Sequence, residues 1–253
     1  MSFLPRPWAE LLVRHFCDDP PLDVQASPET PDWEAWLKPV RMRWRQRAEE
    51  RVAELDSPYF LTNRLAERKP AGATFVGLEF GEPEGAGVPW KAFIIGDTCL
   101  FHLRGDRVLR VYPHDDPSRF DNRPAAFLSE GPQHHAPERV DGWAERGDLL
   151  VLATDALAKW LLCQPNHQMV ADEGAFRTLL DSLDDGAAFE SLVNRARRED
   201  FRPATPRLED DDVTFVVVGC GATLPGMQLL AEFGASLLHD AGEPGRPLVP
   251  PAA

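Results

Sequence analysis

Residues 147–162, GDLLVLATDALAKWLL, place the tightest limit on how this chain folds. The continuous apolar run 149–153 reads as a fully buried strand, and Leu157, Trp160 and Leu161 then recur at helical spacing. Asp155 sits at the junction. A carboxylate just beyond the end of a buried strand is held by a rigid scaffold yet open to solvent, which suits a hard metal ion. The same position equally suits an ordinary helix cap, made by Thr154 or Asp155, and this stretch alone does not separate the two.

The rest of the chain can build a core around that unit. Its 253 residues are 43% hydrophobic, enough for one large domain or two small ones. A formal net charge of -14 opposes extended contact with nucleic-acid phosphates or an anionic membrane surface. Cys17, Cys99, Cys163 and Cys220 are widely spaced and form no CxxC pair, so they read as reduced core thiols. With no apolar run of membrane-spanning length and no signal pattern at the start, a cytoplasmic protein is the default expectation.

Taken in order, Trp8, Leu11, Leu12 and Phe16 mark one face of an opening helix that follows Pro7. A loop is expected over 17–31, rich in Asp and Pro, with Asp32 capping a short helix WEAWL. A further helix is expected over 39–55, with Val40, Trp44, Ala48, Val52 and Leu55 along one stripe. Its Arg41, Arg43, Arg45, Arg47 and Arg51 could hold a phosphorylated partner or form a solvated face laced with Glu49, Glu50 and Glu54. From Ala73 the period becomes two, and four strands separated by turn residues, including Gly96-Asp97 and Gly105-Asp106, read as an antiparallel meander. In that reading Asp97 is a turn residue.

Residues 114–146 look like a long polar excursion over the sheet, of a length often tied to function. His134 and His135 lie within it and, lacking a third nearby ligand, fit surface groups better than a metal site. Amphipathic helices are expected over 176–183 and 188–197. The chain then returns to sheet at DDDVTFVVV, apolar on both faces and so expected to be a central strand. Asp210, Asp211 and Asp212 bound it. A last helix over 227–238 and a disordered Pro/Gly-rich tail complete the chain, giving a main domain over 1–222 and a tail segment over 223–253.

The ordered succession AGATFVGLEF, AFIIGDTCLFHLR, GDLLVLATDALAKWLL and DDVTFVVV resembles the PPM-type family, the metal-dependent protein phosphatase 2C lineage, especially its compact bacterial members. The resemblance implies an α+β fold, an α/β/β/α sandwich of two antiparallel sheets flanked by helices, with Mg²⁺ or Mn²⁺ at one end between the sheets. Carried over by position, Asp155 and Asp211 are the implied metal ligands and Asp97 serves an additional metal position. The implied activity is hydrolysis of phosphoserine or phosphothreonine by a metal-activated water, with a phosphorylated protein as partner and a cognate protein kinase opposite it.

Departures accompany the match. Ala156 stands where the family carries Gly, Thr98 where it carries Ser, and Asp212 where it carries Asn. The family's first strands bear an Asp-Gly pair that bridges two metals, and no such pair precedes the helix at Trp8. Two expectations follow: an active phosphatase whose true start lies upstream, or a catalytically inactive phosphatase-like module that binds a phosphoprotein or regulates a kinase. The second would expose a sheet edge and apolar surface, and would aggregate or need a partner.

Overall fold

The computed structural model describes residues 4–21, 32–54, 59–105, 107–120, 123–163, 179–182, 186–198 and 207–221. The expected helix over 227–238, the tail segment, Asp106, Leu55 and most of the expected helix over 176–183 lie outside the described residues. In chain order the elements are α1 (Pro5–Asp18), α2 (Asp32–Ala53), α3 (Tyr59–Ala66), β1 (Gly72–Ala73), β2 (Phe75–Phe80), β3 (Gly87–Ile95), β4 (Cys99–Arg104) and β5 (Arg107–Tyr112). They continue with a 3₁₀ turn (Pro117–Arg119), β6 (Phe127–Leu128), β7 (Glu138–Glu145), β8 (Asp148–Ala153), α4 (Asp155–Leu162), α5 (Gly186–Arg198) and β9 (Phe215–Gly219).

Two antiparallel sheets lie face to face, one ordered β2-β3-β7 and the other β5-β4-β8-β9, with β1 and β6 as a separate short pair. Alternation along the strands divides the apolar residues between layers. Trp90, Ala92, Ile94, Leu100, Ala144 and Leu150 fill the space between the sheets. Phe75, Phe93 and Ile95 point outward from the first sheet onto Trp8, Leu12, Trp36, Val40 and Trp44 of α1 and α2. Phe101, Leu103, Val151 and Val217 point outward from the second sheet onto Leu157, Trp160 and Leu161 of α4 and onto Leu192 and Ala196 of α5. The result is the expected α/β/β/α sandwich.

Two glycines make room for aromatic rings, one between layers and one across paired strands of the first sheet. A Cβ on Gly77 of β2 would run into the Phe16 ring, so α1 docks on bare backbone. A Cβ on Gly142 of β7 would likewise strike Trp90, which is 1% exposed between the sheets.

Five details differ from the sequence expectations, one being that Cys17 is exposed and Cys163 half-buried, so that only Cys99 and Cys220 are core thiols. The strands after Ala73 do not form one meander, because β3 belongs to the first sheet and β4 to the second. Gly96-Asp97 is therefore a crossing between sheets, and Asp97 is 5% exposed where a hairpin tip would be open to water. Part of the excursion over 114–146 is strand β7, whose polar outer residues hid its inward Val140 and Ala144. Among the described residues β9 is the outer strand of its sheet. It is apolar on both faces because Val218 meets the inter-sheet core and Val217 the helix layer. Finally, α2 runs unbroken through Pro39, anchored by the buried Trp33, Trp36, Leu37 and Val40 on both sides of it.

One polar cluster is built into this apolar interior. The carboxylate of Asp148, at the start of β8, is 1% exposed and accepts hydrogen bonds from His102 Nε2 at 2.9 Å and from Arg104 Nε and Nη2 at 2.8 and 3.0 Å. It also accepts the Glu145 backbone N–H at 2.9 Å. Burial pushes the Asp148 carboxyl upward, but Arg104, the Glu145 amide and His102 together outweigh it and hold the group below its ordinary range.

Candidate active site

At one end of the second sheet, the junction read from the sequence takes a definite form. Thr154 lies between β8 and α4, and its carbonyl accepts the Ala158 N–H at 2.8 Å, opening the helix. Its hydroxyl makes no cap within α4. Instead Oγ1 accepts the Thr214 N–H at 3.0 Å and donates to the Asp212 carbonyl at 3.1 Å, while the Thr154 N–H donates to the Thr214 carbonyl at 3.0 Å. These bonds fasten the end of β8 to the segment leading into β9. They therefore fix Asp155 and the acidic run relative to each other. Asp155, half-buried, is the first residue of α4, where the aligned peptide dipoles favour a negative charge.

Asp97, Asp155 and Asp211, separated by more than a hundred residues along the chain, line one cavity of about 410 Å³. Thr74, Thr98, Lys159 and Glu209 share its wall, and the Thr74 and Thr98 hydroxyls are 3.1 Å apart. Asp211 Oδ1 accepts the N–H of Asp212 at 2.7 Å, and the Asp211 carbonyl accepts from Arg197. The Arg197 guanidinium also stands 3.5 Å from Asp210. The Lys159 ammonium pairs with Glu209. Sequence reasoning passed over both of these residues. Lys159 lies four positions after Asp155, hence on the same helix face, and that spacing was a usable signal. Nothing in the sequence singled out Glu209.

The Cys99 thiol beside this end of the sheet is no nucleophile. It is fully buried, and burial pushes its pKa up to about 12, the Asp97 and Asp155 charges adding to the rise against a backbone hydrogen bond with His114. The arginines of α2 resolve as a laced helix face: Arg41 Nε donates to the Leu128 carbonyl at 2.9 Å, and Arg45 pairs with Glu49 and Glu130 at 3.2 and 3.1 Å. His134 is exposed, while His135 lines a neighbouring cavity with Asp97.

No protein-family model matches the chain, and no curated protein matches it. Solved structures do. The chain is similar to PppA, described as a key regulatory component of T6SS in Pseudomonas aeruginosa, at 20% identity over 84% of this chain and 78% of that one, with a TM-score of 0.44. It is similar to the catalytic domain of the serine threonine protein phosphatase PstP in complex with 2 manganese ions, at 17% identity over 85% and 81%, with a TM-score of 0.41. It is also similar to the phosphatase domain of the cell fate determinant SpoIIE from Bacillus subtilis, at 16% identity over 73% and 75%, with a TM-score of 0.30. Among the described residues no helix is long and apolar enough to cross a membrane.

Proposed function

We propose that the domain over 1–222 is a metal-dependent serine/threonine protein phosphatase, acting at the carboxylate-lined cavity. The observation that carries this reading is the convergence of Asp97, Asp155 and Asp211 on that one cavity. Its donors are carboxylate and hydroxyl oxygens, the set that suits Mg²⁺ or Mn²⁺. Among the described residues no group of three or more His, Cys, Asp or Glu side chains is gathered to hold an ion. An ion held by one or two carboxylates keeps several waters, the usual arrangement for Mg²⁺.

In this reading Asp155 and Asp211 hold the metal and Asp97 serves an additional position. Bound ions supply neutralisation of phosphoryl charge and a water acidic enough to attack at neutral pH. The chain's own residues do the positioning: Thr154 locks Asp155 against the β9 segment, and the crossing between sheets keeps Asp97 buried beside it. With Cys99 held as a neutral thiol, the reaction needs no covalent intermediate at that residue. The partner is a phosphorylated protein, whose phosphate is set by a cognate kinase.

One observation favours a second reading, a catalytically inactive phosphatase-like module that binds a phosphoprotein. The Lys159 ammonium, paired with Glu209, puts a positive charge in the wall of the cavity, where it competes with a metal cation. The experiment that separates the two is Mn²⁺-dependent hydrolysis of an aryl phosphate and a phosphothreonine peptide, with Asp155→Asn and chelator controls. Turnover abolished by both controls supports the enzyme. A folded chain that binds the phosphopeptide without turning it over supports the module.

A further inference from the structure

Beside the carboxylate cavity lies a second, of about 310 Å³, and the two share Asp97 and Pro124 in their walls. Its lining brings together the guanidinium groups of Arg119 and Arg123 with the imidazoles of His114 and His135. Glu138 joins Asp97 as its other acidic member.

The segments that carry His114, Arg119 and His135 are tied down. Asp116 accepts the Ser118 N–H at 2.8 Å and the Asp116 carbonyl accepts the Arg119 N–H at 3.1 Å, shaping the 3₁₀ turn that bears Arg119. The His114 ring meets Phe120 edge-on with centroids 5.4 Å apart. Gln133 accepts the Leu128 N–H at 3.0 Å and donates to the His135 carbonyl at 3.3 Å, which anchors the His135 loop to β6. Both arginines are exposed residues in the wall of this cavity. A guanidinium carries five donors and matches a carboxylate or phosphate two bonds at a time, even when it already holds another partner.

We infer that this cavity, through Arg119 and Arg123, is a subsite for a second anionic group on the same ligand, so that the domain selects phosphopeptides carrying an acidic or phosphorylated residue next to the phosphorylated one. The inference rests on the proposal that the adjoining carboxylate cavity takes the phosphomonoester. Adjacency through Asp97 sets the reach: the second anion lies within a residue or two of the first along an extended peptide, at about 3.3–3.6 Å per residue. Carboxylate and phosphate share the chemistry that Arg119 and Arg123 recognise.

The test is fluorescence anisotropy of the full chain in Mn²⁺ with three phosphothreonine peptides that differ at one flanking position, bearing alanine, glutamate or phosphoserine. Wild type is expected to bind the two anionic peptides at least about tenfold more tightly than the alanine peptide. In Arg119→Ala/Arg123→Ala the three affinities fall within about twofold of one another, while the Arg119→Lys/Arg123→Lys chain keeps part of the preference. A preference for the phosphoserine peptide alone identifies phosphate as the second group, and an equal preference for both identifies a general anion site. Equal binding of all three by wild type, no binding of any, or a preference that survives the double alanine variant overturns the inference. Aryl phosphate turnover, which needs no second anion, reports on the proposed function separately. Its loss with the peptide preference intact removes the enzyme reading alone.

Discussion

Asp148→Asn removes a charge from the interior while keeping its volume, and the expected cost follows from the bonds it breaks. The native carboxylate accepts from His102, Arg104 and the Glu145 amide. Asparagine offers one acceptor oxygen and turns an N–H₂ toward at least one of those donors. Hydrogen bonds to a charged group contribute about 1.5–3 kcal/mol each, and breaking one inside a cluster leaves a buried donor unmet. The Arg104 side chain is 43% exposed and regains water on losing its partner, so its share is left out. The His102 and Glu145 bonds both fall on Oδ2, so asparagine with its oxygen there keeps them as neutral bonds, each weaker by about 1–2 kcal/mol, a total of about 2–4 kcal/mol. For a domain of this size that lowers the melting temperature by roughly 5–15 °C. The assay is urea and thermal denaturation of both chains, the midpoint moving while the urea slope stays constant. Because the folded-state carboxyl is held below its ordinary value, its contribution is fully present above about pH 4 and is lost as the pH falls through the lower folded value. The gap between wild type and variant therefore narrows in acid. A gap under about 1 kcal/mol at neutral pH, or one that stays constant well below pH 4, refutes the argument.

Other consequences are as direct. Gly77→Ala pushes a methyl group into the Phe16 ring and is expected to cost about 1–3 kcal/mol, with a smaller cost in a Phe16→Ala background; additive costs in denaturant titrations would contradict that contact. Lys159→Ala removes the cation paired with Glu209 and is expected to tighten Mn²⁺ binding several-fold by calorimetry, an unchanged affinity arguing against competition in the cavity. In the folded chain, thiol titration at pH 8 should label exposed Cys17 rapidly and leave Cys99 unlabelled until denaturant is added.

Much of the architecture was legible because the strongest local patterns were also the deepest buried. The run 149–153 is the strand at the heart of the second sheet, and the α1 stripe of Trp8, Leu11, Leu12 and Phe16 is that helix's buried face. What the sequence concealed was the assignment of strands to sheets. Gly96 and Asp97 have the residue types of a hairpin turn, and only the pairing of β4 with β8 shows that the chain changes sheets there. The β7 strand was hidden because Arg139, Asp141 and Glu145 face outward while glycine stands at the Trp90 contact. The two-sided apolar pattern of β9 carried no information on its neighbours: Val217 and Val218 pack on the two apolar layers, while Val216 of this outer strand is 42% exposed. At the candidate site, the three aspartates were marked by motif position, and their common cavity emerged only from the fold. Lys159 lies within a motif stretch and is brought in by helix phase, whereas Glu209 and the arginines of the second cavity belong to segments with no motif, brought in by loop path.

The most direct measurement is Mn²⁺-dependent hydrolysis of a phosphothreonine peptide by wild type, Asp97→Asn, Asp155→Asn and Asp211→Asn, with Mn²⁺ binding measured on the same samples. The account predicts turnover that rises with Mn²⁺, is abolished by chelator and by Asp155→Asn or Asp211→Asn together with weakened metal binding, and is reduced by Asp97→Asn. Mn²⁺ binding and turnover indifferent to all three substitutions, in chains that remain folded, would contradict it.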